Sequence, residues 1–329
     1  MVTAEKSRID CRHIDVLDGI RAVSVIIVLI FHFWQQTWIF PVIKTPWLAF
    51  VGITKIDFSN FATVGYLFVD MMVLISGFLL FLPLMRSIIL GEEMSSWKNY
   101  ARRRIARIVP SYYFAVLLLF FASALPTGAY ATTADALKDL FAHLTFTQTL
   151  WVNTYIATPL DVVLWTVAIE VWFYVLFPFV AEFIKGPRNK NRQSFTPAYG
   201  IFFIFAVFNI INYVYTENFV LKGNVYLAMR INQFPAFLGV YSIGMLGASA
   251  FVLIAKNCRR SRIFNAVNTL FSVCSILLIV YLINDCVATQ ERQVWQVTER
   301  SKLAFVFMTF IITTALSSKW YRWLFSNKF

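Results

Sequence analysis

The chain has 329 residues, a formal net charge of +12 at pH 7, and a composition that is 59% hydrophobic but only 14% charged. An ordinary soluble domain carries about 25% charged residues, so this chain lacks the charge needed to cover a water-exposed surface. Its apolar residues also form blocks of the roughly 20 residues that cross the hydrocarbon of a bilayer. Composition therefore excludes a soluble enzyme, a disordered tail and a disulfide-framed secreted module, and it predicts a polytopic membrane protein.

In chain order, hydropathy predicts about eight transmembrane helices, and hence an all-α bundle in one membrane domain over residues 1–329. The predicted spans are 19–40, 61–84, 108–125, 161–184, 199–215, 232–255, 264–283 and 303–318. Lys and Arg concentrate in the segments that are cytoplasmic if the N-terminus is cytoplasmic, as the positive-inside rule requires. We therefore expect the positive charge to meet anionic membrane lipids rather than nucleic acid. The outer segment 126–160 predicts a short interfacial helix, and residues 185–192 predict a solvated basic turn.

The first span does not have the pattern of a removable signal peptide, because polar residues interrupt its outer half where a cleavage site would lie. The four cysteines show no paired spacing. We therefore expect neither a disulfide framework nor a metal site.

Four ionisable residues lie in or at the edge of these spans, where charge is costly and marks function: Arg21, His32, Asp70 and Glu170. Arg21 and His32 are close to three helical turns apart, so they share one face of the first helix, with Arg21 at the cytoplasmic boundary. At 1.5 Å per residue, His32, Asp70 and Glu170 all fall roughly 12–14 Å below the outer boundary. This common depth predicts a catalytic site in which His32 abstracts a proton and a carboxylate fixes its tautomer.

Each of these residues also has a structural interpretation. His32 could be a hydrogen-bonded packing residue, and burial could neutralise Asp70 by raising its pKa. Glu170 could join two helices by pairing with Arg230 or with a Trp indole. Their shared depth favours the functional interpretation of the set.

A second group of residues predicts a ligand site on the cytoplasmic side. Arg102, Arg103, Arg104 and Arg107 precede the third span at helical spacing, and such a guanidinium cluster suits bidentate phosphate binding. A positive-inside anchor is the alternative. Ser76-Gly77 lies in the inner half of the second span, where glycine admits either a neighbouring helix or a thin ligand arm.

Five segments resemble motifs of the integral-membrane acyltransferase family three, which includes bacterial sugar and polysaccharide O-acyltransferases. They are LDGIRAVSVIIVLIFH with its Arg-x10-His spacing, VDMMVLISGFLL, RRIARIVPSYY, LWTVAIEVWFYVLFPF with Thr166 in place of the usual Ser, and QFPAFLGVYSIGML. The order of the five motifs matches the family over about residues 15–250. The family generally has about ten spans, so the resemblance implies that two C-terminal helices would follow the eight predicted here.

The resemblance implies a reaction. The family transfers an acyl group, usually acetyl from acetyl-CoA, to a hydroxyl of a carbohydrate or lipid-linked glycan, which indicates a bacterial inner membrane. Carried over to this sequence, it makes His32 the base and gives Asp70 and Glu170 supporting roles. Arg21, Ser76 and Gly77 would line the donor path, and Arg103, Arg104 and Arg107 would lie at the CoA phosphates.

Two other classes of protein use similar residues. A proton-coupled transporter of lipids or glycans also places His, Asp and Glu in the membrane, although it predicts inverted repeats that this sequence lacks. An inactive accessory subunit is the third hypothesis. Saturable CoA binding separates the enzyme from both.

Overall fold

The computed structural model describes residues 9–11, 14–160, 162–186, 197–222 and 226–326. Most of the basic turn predicted at 185–192 lies outside these residues. The helices, numbered in chain order, are α1 (Val16–Thr37), α2 (Ser59–Thr63), α3 (Leu67–Leu90), α4 (Trp97–Leu119), α5 (Thr133–Leu144), α6 (Val152–Tyr155), α7 (Trp165–Lys185), α8 (Pro197–Tyr215), α9 (Leu227–Ile231), α10 (Leu238–Asn257), α11 (Arg262–Ala288), α12 (Arg292–Leu316) and α13 (Lys319–Ser326). Two short strands, β1 (Val42–Lys44) and β2 (Lys55–Asp57), pair antiparallel between α1 and α2.

Seven helices in the described part of the chain are long and apolar enough to cross a membrane, and α12 with α13 makes an eighth if this pair, bent by 116°, is one span. The predicted all-α bundle of about eight spans is therefore confirmed. The boundaries differ most at the third and the last span, where α4 begins at Trp97 rather than at residue 108 and α12 begins at Arg292 rather than at residue 303. Hydropathy finds only the apolar part of a helix, whereas the arginines before it are good helix formers and Ser96 caps the helix start.

The chain divides into two compact units, residues 1–90 with 240–329 and residues 91–239. We call them the terminal unit and the central unit. The terminal unit contains Arg21, His32, Asp70, Ser76 and Gly77. The central unit contains the arginine cluster and Glu170.

In the terminal unit, α3 and α10 approach closely at two glycines. A Cβ atom on Gly77 would lie 2.9 Å from the carbonyl oxygen of Tyr241, and one on Gly244 would lie 2.6 Å from the carbonyl oxygen of Leu74. Both distances are shorter than a van der Waals contact. Glycine is therefore required at both positions for the two backbones to meet, as in other membrane helix pairs.

The central unit is built around α4 and α7, with the outer segment packed against them. Tyr112 and Val116 of α4 and Phe120, directly after it, are buried together with Ala168 of α7 and Phe146 of the outer segment. The helix predicted in this segment is present as α5, whose start is capped by the Thr132 hydroxyl accepting from the backbone N–H of Asp135.

Candidate active site

His32 lies in the last turns of α1, and its ring is partly exposed. Its Nδ1 atom is 3.0 Å from Oε1 of Gln35 and its ring centroid is 5.1 Å from that of Phe31. Since an amide oxygen only accepts hydrogen bonds, the tautomer with its proton on Nδ1 is the one that can donate to Gln35 in this arrangement. The Nε2 lone pair is then the position at which the imidazole can accept a proton.

Gln35 is a site residue that the sequence analysis missed. The expected partner of His32 was a carboxylate, but in the described residues the side-chain hydrogen bond of the ring is with this neutral amide three residues along the same helix. Residues at i and i+3 are neighbours on a helix surface, so this spacing was a signal that could have identified it.

Asp70 is completely buried in the first turn of α3, and Arg300 of α12 is 3% exposed. Arg300 Nε donates to Asp70 Oδ2 at 3.3 Å, and the Gln296 side chain lies beside the same carboxylate. Arg300 was not predicted from the sequence because it lies before the apolar part of the last span. A buried charge requires a partner, and the partner of Asp70 is this guanidinium rather than His32.

The register of α1 against α3 also separates Asp70 from His32 in depth. The Ser24 hydroxyl donates to Sδ of Met71 at 3.0 Å, and a Cβ atom on Gly65 would lie 2.8 Å from the carbonyl oxygen of Ile27. These contacts put Asp70 level with the middle of α1, about 10 Å along the helix axis from His32. The prediction of a common depth for the two residues was wrong because it measured depth from the ends of the apolar stretches, as if these ends lay at one level. Helix α1 ends at Thr37, although its apolar stretch continues to Phe40.

The other predicted residues of the terminal unit lie on α1 and α3. Arg21 is partly exposed near the start of α1, and the same helix continues without a break to His32. Ser76 is partly exposed, whereas Gly77 is buried against Tyr241. Packing of two helices thus accounts for Gly77, and a ligand contact of Ser76-Gly77 stays a prediction.

In the central unit, an aromatic residue links two of the predicted functional groups. The Tyr174 hydroxyl donates to Oε1 of Glu170, one turn away on α7. The Arg104 guanidinium lies over the Tyr174 ring, 4.8 Å from its centroid, and 5.6 Å from the centroid of Tyr100. Glu170 is therefore connected to the arginine cluster through Tyr174.

The remaining arginines of the cluster are accessible. Arg102, Arg103 and Arg107 are exposed on α4, whereas Arg104 is partly buried between the two tyrosines. The charge of Arg107 also acts on the Tyr174 hydroxyl. The guanidinium that stacks on the rings is thus held in place, and three neighbouring guanidiniums are exposed to solvent.

Three candidate partners of Glu170 also have hydrogen bonds of their own. Arg230 donates to the carbonyl oxygen of Phe219, and the indoles of Trp97 and Trp172 donate to Glu182 and to the carbonyl oxygen of Phe146. A pairing of Glu170 with Arg230 or with a Trp indole stays a prediction. The structure thus pairs Asp70 with Arg300 and Glu170 with Tyr174, each within its own unit. A joint site of His32, Asp70 and Glu170 stays a prediction.

The central unit also contains a buried histidine next to a buried aspartate, which were not predicted from the sequence. His143 Nδ1 lies 2.9 Å from the backbone carbonyl oxygen of Asp139 and 3.2 Å from its Oδ1, and both side chains are almost fully buried. Tyr130 and Thr158 donate to Oδ2 of Asp139 at 2.8 and 2.7 Å. Burial and the hydrogen bond to Asp139 raise the pKa of Tyr130 above its ordinary value. The i, i+4 spacing on the predicted helix was the available signal.

No group of three or more His, Cys, Asp or Glu residues within the described ranges is arranged to hold a metal ion. The ionisable groups described above contact hydrogen-bonding, ionic and aromatic partners, which can hold an imidazole, a carboxylate or a guanidinium in a fixed orientation.

Curated relatives share sequence similarity with this chain. The proteins named O-acetyltransferase OatA of Staphylococcus aureus strains NCTC 8325 / PS 47, COL and MRSA252 are each 28% identical to it over 201 residues. The matched region covers 56% of this chain and 28% of each relative, so the chain spans less than a third of their length. No solved structure matches the chain.

A family model described as an acyltransferase domain matches residues 14–329, almost the whole chain. This match extends over α1, α3, α4, α7 and α10, which carry the five motifs identified in the sequence. Together with the apolar helices, it shows an integral membrane protein, and the chain belongs to the integral-membrane acyltransferase family three.

Proposed function

We propose that this protein is a membrane O-acyltransferase that moves an acyl group, expected to be acetyl, from acyl-CoA to a hydroxyl of a carbohydrate or lipid-linked envelope glycan. The observation that carries the proposal is the orientation of His32, whose Nδ1 proton is held by Gln35 while Nε2 remains available as a base. Membership of an acyltransferase family supports the same reaction class. The bacterial inner membrane is the expected location.

The chemistry begins with His32 Nε2 accepting the proton of the acceptor hydroxyl as the oxygen attacks the thioester carbonyl carbon. The tetrahedral intermediate collapses when the C–S bond breaks. The departing CoA sulfur takes the proton from the imidazolium, so the products are an O-acyl ester and free CoA thiol. Direct transfer needs no second nucleophile, and we prefer it to an acyl-His intermediate.

The donor would enter from the predicted cytoplasmic side, where the arginines lie at the start of α4. CoA carries a pyrophosphate and a ribose phosphate, and guanidiniums bind such groups through two parallel hydrogen bonds. Arg103 and Arg107 are exposed. Arg104 stacks on tyrosine rings, and stacking leaves the edge of a guanidinium free to donate. We assign Arg103, Arg104 and Arg107 to the phosphates and Arg21 and Ser76 to the path of the pantetheine arm.

In this proposal the two carboxylates support the site without pairing with His32. Glu170 accepts from Tyr174, whose ring lies against Arg104, so it helps to orient the donor-binding cluster. Asp70 and Arg300 hold α3 against α12 below the level of His32.

The test is equilibrium binding of radiolabelled acetyl-CoA to the purified protein and to a variant with Arg103, Arg104 and Arg107 replaced by Gln. We expect saturable binding that the triple variant weakens severely. A matched control replaces Lys98, Arg259 and Arg262, so that the same number of positive charges is lost elsewhere. The absence of saturable binding by the unmodified protein would contradict the enzyme and favour the transporter or the accessory subunit.

A further inference from the structure

The segment between the first two spans exposes an unusual number of large apolar side chains. Trp38, Trp47 and Phe50 are 70%, 64% and 84% exposed, and Ile39, Ile43 and Val51 are at least half exposed. We call residues 38–58 the outer hairpin. Apolar surface of this extent does not stay in water in a stable protein, so it requires a partner.

The outer hairpin is an ordered structure rather than a loose loop. Residues Thr45 and Thr54 close it with a backbone hydrogen bond of 2.9 Å, and the buried Thr45 hydroxyl donates to the carbonyl oxygen of Ile53 at 3.0 Å. Between these residues, a 3-10 helix (Pro46–Val51) forms the tip. Residues three apart in such a helix share one side, so Trp47 and Phe50 project together from the tip.

The position of the outer hairpin along the chain identifies its surroundings. It begins directly after α1 ends at Thr37 and finishes before α3 begins at Leu67, so it lies where the chain leaves one span and enters the next. The ring of Trp34, in the last turns of α1, is 5.3 Å from that of Trp38 and 6.1 Å from that of Phe40. The hairpin is therefore joined to the end of the helix that carries His32.

The charges of the two strands indicate the chemistry of the partner. Lys44 and Lys55 are directly opposite each other in the ladder, so their side chains share one face, and Ile43 and Ile56 share the other. Like charges at opposed positions repel unless an anion lies between or beside them. The one carboxylate on that face, Asp57, accepts from the backbone N–H and hydroxyl of Ser59. The face therefore keeps a net positive charge.

We propose that the outer hairpin is embedded in the headgroup layer of the membrane leaflet at this end of α1, with its tip in the upper acyl chains and Lys44 and Lys55 at anionic lipid phosphates. A two-stranded ladder has unpaired backbone groups along both edges, which cannot enter hydrocarbon. The hairpin thus lies flat at the interface, where Trp and basic residues are favoured. This role is independent of the proposed reaction, and it would hold the His32 end of α1 at a fixed depth.

The experiment measures depth with an environment-sensitive fluorophore attached to single cysteines. Phe50→Cys, Leu29→Cys and Gln290→Cys are introduced separately into a chain whose four natural cysteines are replaced by serine. Leu29 is an exposed residue in the middle of α1, and Gln290 is an exposed residue of the polar turn between α11 and α12, so they are the deep and the aqueous controls. Each protein is labelled and reconstituted in vesicles of phosphatidylcholine alone or with phosphatidylglycerol, with spin-labelled lipids as quenchers.

The proposal predicts that the label at position 50 is quenched more by lipids spin-labelled near the headgroup than by those labelled deep in the chain. The label at position 29 should show the reverse order, and the label at position 290 little quenching by either. Phosphatidylglycerol should increase quenching at position 50, and this increase should be lost in a Lys44→Gln/Lys55→Gln background but kept in a Lys138→Gln background.

Three outcomes would overturn the proposal. A label at position 50 that behaves like the one at position 290 would place the hairpin in water. Quenching that is unchanged by phosphatidylglycerol would show that Lys44 and Lys55 do not contact anionic lipid phosphates. Emission that depends on the protein-to-lipid ratio, with crosslinking between Phe50→Cys chains, would assign the surface to a second copy.

Discussion

Asp70 and Arg300 form an ion pair between α3 and α12, with the carboxylate completely buried and the guanidinium side chain 4% exposed. The two residues are far apart in the sequence, and the pair joins an early motif of the chain to its last long helix. Removing one partner of a buried pair leaves an uncompensated charge, which costs roughly 3–5 kcal/mol, whereas removing both can be nearly neutral.

We therefore expect Asp70→Asn and Arg300→Gln, made separately, each to lower the free energy of unfolding by about 3 kcal/mol. The double variant should recover most of this loss. Thermal and denaturant unfolding in detergent measures the three proteins. The control is Lys302→Gln, which breaks the exposed pair with Glu299 and should cost about 1 kcal/mol or less. Single variants as stable as this control would contradict a charge-compensating pair.

A substitution of Gly77, in the motif VDMMVLISGFLL, tests whether this position serves helix packing or ligand binding. A Cβ atom at this position would press on the backbone of Tyr241, so Gly77→Ala should destabilise the protein by about 1–3 kcal/mol. The KM for acetyl-CoA of the protein that remains folded should be unchanged. Ser76→Ala is the adjacent control for stability. An unchanged unfolding midpoint together with a raised KM for acetyl-CoA would instead assign Gly77 to the donor path.

Tyr174 tests the connection between Glu170 and the arginine cluster. Tyr174→Leu removes the ring under Arg104, and a cation–π contact worth about 0.5–2 kcal/mol predicts a rise of about twofold to thirtyfold in the KM for acyl-CoA. Tyr174→Phe keeps the ring and loses only the hydrogen bond to Glu170, so its effect should be smaller. Steady-state kinetics with donor and acceptor varied in turn provides the measurement.

The matched control for Tyr174 is Tyr213→Leu, at an exposed position of α8. It should leave both KM values unchanged. Equal increases in the KM for donor and acceptor in Tyr174→Leu would show a general loss of structure rather than a defect in the donor site.

Much of the fold follows from the sequence because the hydrocarbon of a bilayer imposes one length and one composition on every helix that crosses it. The helical spans and the family membership were predicted on this basis and from ordered motifs. The helix boundaries were less accurate, because the arginines at the start of α4 are helical without being apolar. The outer hairpin was missed, since its apolar residues merge with those of the first span.

The site was predictable only in part, because side-chain partners depend on how helices are rotated and how far they slide past one another. His32, Asp70 and Glu170 were identified as charges in apolar surroundings, but Arg300 became a neighbour of Asp70 only through tertiary packing. Tyr174 lies four residues from Glu170 on the same helix, so this contact was local and could have been found. Depth counted from apolar ends placed Asp70 level with His32, and the contact between Ser24 and Met71 removes this coincidence. The contact between His32 and Gln35 joins residues three apart on one helix, so it could have been predicted from the sequence.

The central claim is that His32 acts as a base whose Nδ1 proton is held by Gln35. The most direct measurement is transfer of radiolabelled acetyl from acetyl-CoA to envelope glycan in membranes that contain the natural gene product or its variants. His32→Gln should lower the rate constant by about 10²–10⁴-fold with acetyl-CoA binding retained. Gln35→Leu should lower it by about fivefold to tenfold, the loss of one hydrogen bond of about 1 kcal/mol, and Gln35→Glu should restore it. Full activity of His32→Gln, at wild-type levels of protein in the membrane, would contradict the account.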